Sequence, residues 1–150
     1  MNCRYNGREE TMIYHLTSAD VFQEALTAAR AASPAVHAFT ESTPGRADEG
    51  TRCYLSEDGR SGYTVQRGYL SCLFSLVPGR GAGLVASAIL RGADEGDCFG
   101  TFLRDLYVRG GFTRVYSARW DEEQFTGTDG DRATIFGLCG DRPRVYFFSI

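Results

Sequence analysis

The order of strand-like and helix-like segments changes near the middle of the chain, and this change limits the possible folds. Short apolar segments joined by turn residues precede Val77, which is typical of antiparallel hairpins. After Val77, helical segments alternate with short strands in the order β-α-β-α-β. We therefore expect one α+β domain spanning residues 1–150, built on a mixed central sheet of about six to seven strands flanked by helices.

Strand and helix signals cover most of the chain. Segments with the composition of strands lie at 12–16, 51–55, 62–66, 69–77, 112–120 and 145–150, and a further short strand ends at Phe99. Segments with apolar residues at helical spacing lie at 18–32, 81–92 and 102–107. The turn Asp58-Gly59 indicates a hairpin. Little periodicity is present at 33–50, where we expect a loop or a short irregular helix, or at 127–131, where we expect a loop.

Composition and cysteine spacing limit the classes of function. No apolar run approaches the roughly 18 residues that a membrane helix needs, and the first residues are too polar for a secretory signal, so we expect a soluble, cytoplasmic protein with no membrane contact. The cysteines are Cys3, Cys53, Cys72, Cys98 and Cys139. No two have the close CxxC spacing of a zinc or redox site, so we expect reduced thiols and no metal.

The charge pattern gives little sign of a nucleic-acid-binding protein. The formal net charge is -3, and all 16 basic residues are arginines interspersed with acidic ones. No basic face is evident, although arginines could still gather in the fold. Nucleic acid is therefore a minor option as a partner, and a homodimer remains open.

A glycine cluster lies where the third hairpin strand meets the next helix, in the sequence VPGRGAGL from Val77 to Leu84. Glycines at such a junction let backbone N–H groups approach an anion, and the helix N-terminus adds its positive dipole end. Arg80 could add a charged contact. The cluster lacks both the Gly-Lys-Ser/Thr of a nucleotide-triphosphate loop and the full GxGxxG of a dinucleotide site, so alone it indicates only an anion site or a tight turn.

Two motifs carry a resemblance to a known family. Arg80-Gly81-Ala82-Gly83-Leu84 resembles the motif Arg/Gln-x-x-Gly-x-Gly/Ala, common as RGxGxG, with Val85 in place of the last small residue. The stretch LYVRGGF, which ends at Phe112, resembles a helix ending in a tyrosine, then a spacer and Gly-Phe. Over roughly residues 69–120, the chain thus resembles the GNAT superfamily of acetyl-CoA-dependent N-acyltransferases.

The resemblance implies an activity and a set of site residues. The activity would be transfer of an acetyl group from acetyl-CoA, the co-substrate, to a primary amine by direct attack in a ternary complex. Tyr107 would be catalytic and donate a proton to the departing thiolate, which lowers the cost of the charge that develops on sulfur. The implied cofactor-binding residues are Ser75, Leu76 and Val77 along the pantetheine arm, and Arg80, Gly81, Ala82, Gly83, Leu84 and Val85 at the pyrophosphate.

The chain departs from the family pattern at two places. Many members have a cofactor-binding asparagine seven residues before the tyrosine, where this chain has Gly100. The strand from Tyr69 to Ser75 contains no Glu or Asp, although a carboxylate there is a frequent general base. The base is therefore unassigned. Conceivable groups are Glu41, Glu57, Asp97 and His37, a water relay, or an amine that arrives neutral.

The acceptor and the alternatives to catalysis stay open from sequence. The resemblance implies an acceptor pocket built from 33–50 and 124–132, the segments with the least pattern. One alternative function is a non-catalytic GNAT-like module that binds a protein partner. Another is an acyltransferase acting on modified nucleic acid, which would require arginines beside the cleft.

Overall fold

The computed structural model of the chain describes residues 12–40, 50–140 and 142–150. The strands in these ranges are β1 (Tyr14–Thr17), β2 (Thr51–Ser56), β3 (Ser61–Gln66), β4 (Tyr69–Ser75), β5 (Glu95–Phe99), β6 (Arg114–Ala118) and β7 (Val145–Ser149). The helices are α1 (Ala19–Ala32), α2 (Pro34–Phe39), α3 (Gly81–Leu90), α4 (Thr101–Gly110) and α5 (Asp129–Cys139), with a 3-10 turn at Glu122–Gln124. The predicted α+β class is confirmed.

The strands form one mixed sheet in the order β1-β2-β3-β4-β5-β7-β6. Neighbouring strands are antiparallel except β4 and β5, which are parallel because the crossover helix α3 connects them. Strand β7 lies between β5 and β6 and pairs with both over its full length. The predicted mixed sheet is confirmed, and its parallel pair is at the centre.

Each face of the sheet carries its own hydrophobic cluster. On one face, α3 and α4 cover a cluster in which Leu84, Val85 and Ala88 are fully buried. On the other, α1 and α2 cover a cluster that contains Phe22, Leu26 and Phe74. Since side chains alternate along a strand, these clusters identify which face each strand residue occupies. None of the helices in the described ranges combines the length and apolar character needed to span a membrane.

Two weakly patterned segments contain helices. The prediction of a loop at 127–131 is wrong at its end, because α5 begins at Asp129. Thr128 and Asp131 form a capping box, in which each side chain accepts a hydrogen bond from the backbone N–H of the other. Within 33–50, Ser33 caps the short helix α2, and residues 41–49 lie outside the described ranges.

Candidate active site

The parallel strands β4 and β5 are paired at only one end. Their register contains a single pair, Tyr69↔Glu95, whereas the neighbouring β5 and β7 are matched by five pairs. The carboxyl-terminal halves of β4 and β5 therefore diverge and leave a gap between them, which we call the β4–β5 gap. Backbone groups along its edges lack partners from the facing strand, and such groups can pair with an added ligand.

Strand β4 is bent by a bulge beside this gap. The register with β3 shifts between Gly62 and Thr64, so that Cys72 and Leu73 both lie opposite Tyr63. Cys72 has φ +52°, a left-handed conformation that residues other than glycine rarely adopt. A bulge kinks its strand and increases the local twist, which accounts for the divergence of β4 from β5.

Past the bulge, successive backbone amides of β4 point alternately toward β3 and toward the gap. The amide of Leu76 donates to the carbonyl oxygen of Arg60 at 2.8 Å. By the alternation of an antiparallel ladder, the amide of Phe74 also faces β3, and the amide of Ser75 faces the gap. The Ser75 hydroxyl donates to the Val77 carbonyl oxygen at 2.7 Å and accepts from its amide at 3.0 Å, which turns the chain toward α3.

Tyr107 reaches the β4–β5 gap from the α3/α4 face. Its side chain is 6% exposed, and its ring stacks against Phe148 and Phe112 with centroids 4.7 and 5.9 Å away. The ring passes over Gly96, where a Cβ atom would lie 3.3 Å from it. No hydrogen bond joins the Tyr107 hydroxyl to another described residue.

Electrostatics keep the Tyr107 hydroxyl protonated. Burial raises the pKa of Tyr107 well above its usual value, and Cys98, Asp97, Tyr69 and Cys72 raise it further. The ring itself lies against Gly96 of β5, the strand that forms one edge of the gap. A protonated hydroxyl can donate a hydrogen bond to negative charge that develops close to it.

The N-terminus of α3 follows directly from the end of β4. The first helical hydrogen bond runs from the Leu84 amide to the Arg80 carbonyl oxygen, at 2.9 Å. The amides of Gly81, Ala82 and Gly83 precede it, and no side chain caps this turn. A Cβ atom on Gly83 would meet nothing within 4 Å, so the surface there is open. This first turn is suited to an anion.

The other predicted residues of the loop serve packing and anchoring. Val85 is fully buried, and a Cβ atom on Gly110 of α4 would lie 2.4 Å from its Cβ atom. A Cβ atom on Gly81 would lie 2.6 Å from Leu106, next to Tyr107. Close packing of α3 on α4 thus brings the loop beside Tyr107, while Leu84 and Val85 point into the core.

The side chain of Arg80 is directed to the β2–β3 hairpin. Its guanidinium donates to the carboxylate of Asp58 at 2.9 and 3.2 Å and to the Ser61 hydroxyl at 2.9 Å. The hydrogen bond from Arg80, with those from Ser56 and Arg60, holds the pKa of Asp58 well below its usual value. Arg80 therefore fixes the start of α3 against the hairpin.

Gly100 has a backbone reason to be glycine. It precedes α4 with φ +84°, and a Cβ atom there would lie 2.7 Å from the Cys139 sulfur. A side chain at this position meets both strain and a clash. The place where the resemblance implies an asparagine is thus occupied by the contact between α5 and the start of α4.

Two of the candidate general bases, Asp97 and His37, each form a pair with another side chain. The Tyr69 hydroxyl donates a hydrogen bond to Asp97 across the parallel strands. Burial and this carboxylate raise the pKa of Tyr69, so Tyr69 is the proton donor in the pair. His37 and Asp131 form a second pair, Nδ1 to Oδ1 at 2.5 Å, between α2 and α5. Sequence reasoning missed both pairs, because their partners are 28 and 94 residues apart.

The other two candidate bases, Glu57 and Glu41, are not part of these pairs. Glu57 lines an open groove of about 550 Å³ with His15 and Glu24, between β1, α1 and the β2–β3 hairpin. Its acidic lining does not suit the phosphates of a nucleotide. Glu41 lies outside the described ranges. Cys72 and Cys98 are buried and form no disulfide, as predicted, and burial raises the pKa of Cys98. In the described ranges, no group of three or more His, Cys, Asp and Glu could hold a metal ion.

Comparisons with protein-family models, with curated proteins and with solved structures give no match to this chain. The functional inference therefore depends on the geometry of the β4–β5 gap and on the two sequence motifs that border it.

Proposed function

We propose that this chain is an N-acyltransferase that transfers an acetyl group from acetyl-CoA to a primary amine. The observation that carries the proposal is the convergence of three features at one place. These are the β4–β5 gap, the uncapped N-terminus of α3, and Tyr107, whose ring lies against Gly96 of β5 and whose neighbour Leu106 packs on Gly81 of α3. The motifs RGAGL and LYVRGGF, which suggested this reaction from sequence, border the same gap.

The pantetheine arm of acetyl-CoA would occupy the gap. That arm is a narrow chain carrying two amide groups, and its amides can pair with backbone groups that a neighbouring strand would otherwise satisfy. The amide of Ser75 is one such group on β4. Bound along this edge, pantetheine would bring its thioester end toward Tyr107, whose ring lies against Gly96 of β5.

The first turn of α3 would receive the pyrophosphate. Amides of Gly81, Ala82 and Gly83, together with the helix dipole, favour a negative group at this end of the helix. Fewer residues would bind the pyrophosphate than the sequence predicted. The Leu84 amide is used within the helix, and Val85 is buried. Arg80 would contribute by holding the loop in place through Asp58.

The transfer itself requires few protein groups. The amine nitrogen attacks the thioester carbonyl carbon, forming the C–N bond, and the C–S bond breaks with its electron pair going to sulfur. Tyr107 gives the sulfur a proton and regains one from the nitrogen, directly or through water. A hydroxyl held in a buried setting stabilises the developing thiolate better than one in bulk water, because it needs no reorganisation.

Ligand-induced stabilisation tests the donor. Acetyl-CoA at 100 times its Kd should stabilise the native state by about 2.7 kcal/mol and raise the thermal midpoint by several degrees. ADP, which lacks the pantetheine arm, is the control and should have a smaller effect at equal concentration. No shift at millimolar acetyl-CoA would contradict the proposal, and a shift without turnover on any amine would indicate a non-catalytic acyl-CoA-binding module.

Replacing the hydroxyl of Tyr107 tests the chemistry. Tyr107→Phe should lower kcat by about 10²-fold or more and leave the Kd for acetyl-CoA nearly unchanged, because the hydroxyl acts on the leaving sulfur. Tyr54→Phe is the matched control, since Tyr54 is a buried tyrosine of the same cluster far from the α4 helix in the sheet order. Equal losses of binding and turnover in Tyr107→Phe would show that the side chain serves packing.

A further inference from the structure

A row of aromatic and acidic side chains crosses four strands beside the β4–β5 gap. Asp97 of β5 is paired with Phe147 of β7, which is paired with Tyr116 of β6. On the other side of Asp97, the Tyr69 hydroxyl from β4 donates to its carboxylate. We call Tyr69, Asp97, Phe147 and Tyr116 the acidic–aromatic row.

The row faces the α1/α2 side of the sheet. Leu70, Cys98, Tyr146 and Phe148 belong to the cluster under α3 and α4, so their strand neighbours point the opposite way. On that opposite face the rings of Phe147 and Tyr116 stack with centroids 5.2 Å apart. Tyr116 is 69% exposed, and the Asp97 side chain is exposed as well. Both of these side chains are thus open to a ligand.

The row and Tyr107 lie on opposite faces of β5 at neighbouring residues. The Tyr107 ring lies against Gly96 on the α3/α4 face. Asp97 is the next residue of β5, and its side chain leaves the strand on the opposite face. A molecule bound over the row would therefore approach the thioester end of the proposed pantetheine path. Phe99, two residues after Asp97, contacts Phe39 of α2 and Trp120, which extends the same face toward the segments expected to hold the acceptor.

The charge on this face is negative near the gap. Glu95 and Asp97 are both exposed on β5 and share this face. Arg114 of β6 is a basic residue in line with Glu95, because both are paired with Ser149 of β7. This line lies at the end of β5 away from Phe99. Carboxylates flanked by aromatic faces attract ammonium ions, through ion pairing and through the negative face of each ring.

We propose that the acidic–aromatic row binds the acceptor as an alkylammonium ion and that Asp97 accepts its proton. This inference rests on the proposed N-acyltransferase function. RNH₃⁺ would give one proton to Asp97, which passes it to water, and the freed lone pair would form the bond to the acetyl carbon. The C–S electron pair goes to sulfur, which takes the proton of Tyr107, and the second nitrogen proton returns to Tyr107. One proton is released overall.

Each residue has a distinct role in this proposal. Asp97 would contact the ammonium group and is the proton acceptor. Tyr69 would be a positioning residue, because its hydroxyl holds one oxygen of that carboxylate and leaves the other for the amine. Tyr116 and Phe147 would contact the carbon chain and the charge of the ligand with their rings. The acceptor class is thus a cationic aliphatic amine.

Titration with n-butylammonium chloride tests the row on the intact chain. Chemical shifts of the Tyr69 and Tyr116 rings, followed by NMR at pH 7.5, should report saturable binding in the wild-type protein. Asp97→Asn should weaken it about fivefold, the value of an exposed ion pair, and Tyr116→Leu about threefold. Glu95→Gln is the matched control, since Glu95 is the other exposed carboxylate on β5, and it should weaken binding less than Asp97→Asn.

Turnover separates the proton-accepting role from simple binding. With saturating acetyl-CoA, Asp97→Asn should raise KM and lower kcat for butylamine, while Tyr69→Phe should mainly lower kcat. For trifluoroethylamine, which is neutral at pH 7.5, Asp97→Asn should change kcat little. The inference is overturned if Asp97→Asn matches the wild type in both ammonium binding and turnover while acetyl-CoA still binds. If acetyl-CoA does not bind but butylammonium does, the proposed function fails and the cation site stands.

Discussion

Gly100 shows how one backbone conformation decides which residue can occupy a site. Its φ of +84° favours glycine, and so does the Cys139 sulfur, which would lie 2.7 Å from a Cβ atom at this position. Asparagine, expected there from the family resemblance, would meet that strain and that contact together. The missing amide side chain is therefore a consequence of how α5 packs on the start of α4.

Substituting this glycine tests the explanation. Gly100→Ala should lower the free energy of unfolding by more than about 1 kcal/mol, because alanine is strained at positive φ and must displace Cys139. Gly137→Ala is the control, since Gly137 lies within α5 with open space around it. Its free energy of unfolding should stay equal or rise by up to about 1 kcal/mol. Urea denaturation of both variants measures the difference, and equal effects would refute the argument.

At the scale of elements, the α2–α5 contact depends on Asp131. Burial opposes ionisation of this carboxyl, but hydrogen bonds from Thr128 and His37 outweigh burial and hold its pKa below the usual value. One side chain thus caps α5 and ties it to α2. The contact positions α5 beside the gap, because the same helix also packs against Gly100.

This carboxylate should contribute to acid sensitivity. A folded-state pKa below the unfolded value means that the stabilisation is present above about pH 4 and is lost as pH falls through the folded pKa. Asp131→Asn should cost about 1 kcal/mol at pH 7, and the difference from the wild type should shrink as pH falls to about 3. Asp129→Asn is the control, since the Asp129 side chain is 99% exposed on the same turn. Thermal midpoints across this pH range measure both, and a constant difference would contradict the expectation.

At the scale of the whole molecule, the β4–β5 gap should be the most ligand-sensitive part of the sheet. The Ser75 amide faces the gap and the Phe74 amide faces β3, so Ser75 should exchange its amide hydrogen faster in the free protein. Acetyl-CoA should slow exchange at Ser75 and leave Phe74 nearly unchanged. Hydrogen exchange followed by NMR tests this. Protection of both amides before ligand is added would contradict the open edge.

Sequence patterns predicted the order of elements better than their arrangement. Local signals suffice for the Asp58-Gly59 hairpin and for α3, because turn chemistry and helical spacing involve near neighbours. The start of α5 was missed although Thr128 and Asp131 have capping-box spacing, since the glycines around them suggest a loop. The bulge at Cys72 depends on the register with β3, which no local pattern specifies.

Only part of the candidate site could be predicted from the sequence. The motif residues Gly81 and Tyr107 could be found from spacing, and the structure brings them together through Leu106. The partner of Arg80 could not be found in this way, because Asp58 lies 22 residues earlier, on the β2–β3 hairpin. The acidic–aromatic row is invisible in sequence, since its members come from four strands and become neighbours only through the cross-strand register.

The position of β7 has a consequence for how the chain folds during synthesis. Strands β1 to β4 are sequential neighbours and can pair as they leave the ribosome. Within the described ranges, β6 has no strand neighbour except β7, and β5 keeps an unpaired edge until β7 arrives. Among the strands in the described ranges, the last along the chain, β7, is thus the one that closes the sheet. Until then the exposed edges of β5 and β6 invite misassembly, so nascent chains that stall before Val145 should depend on chaperones.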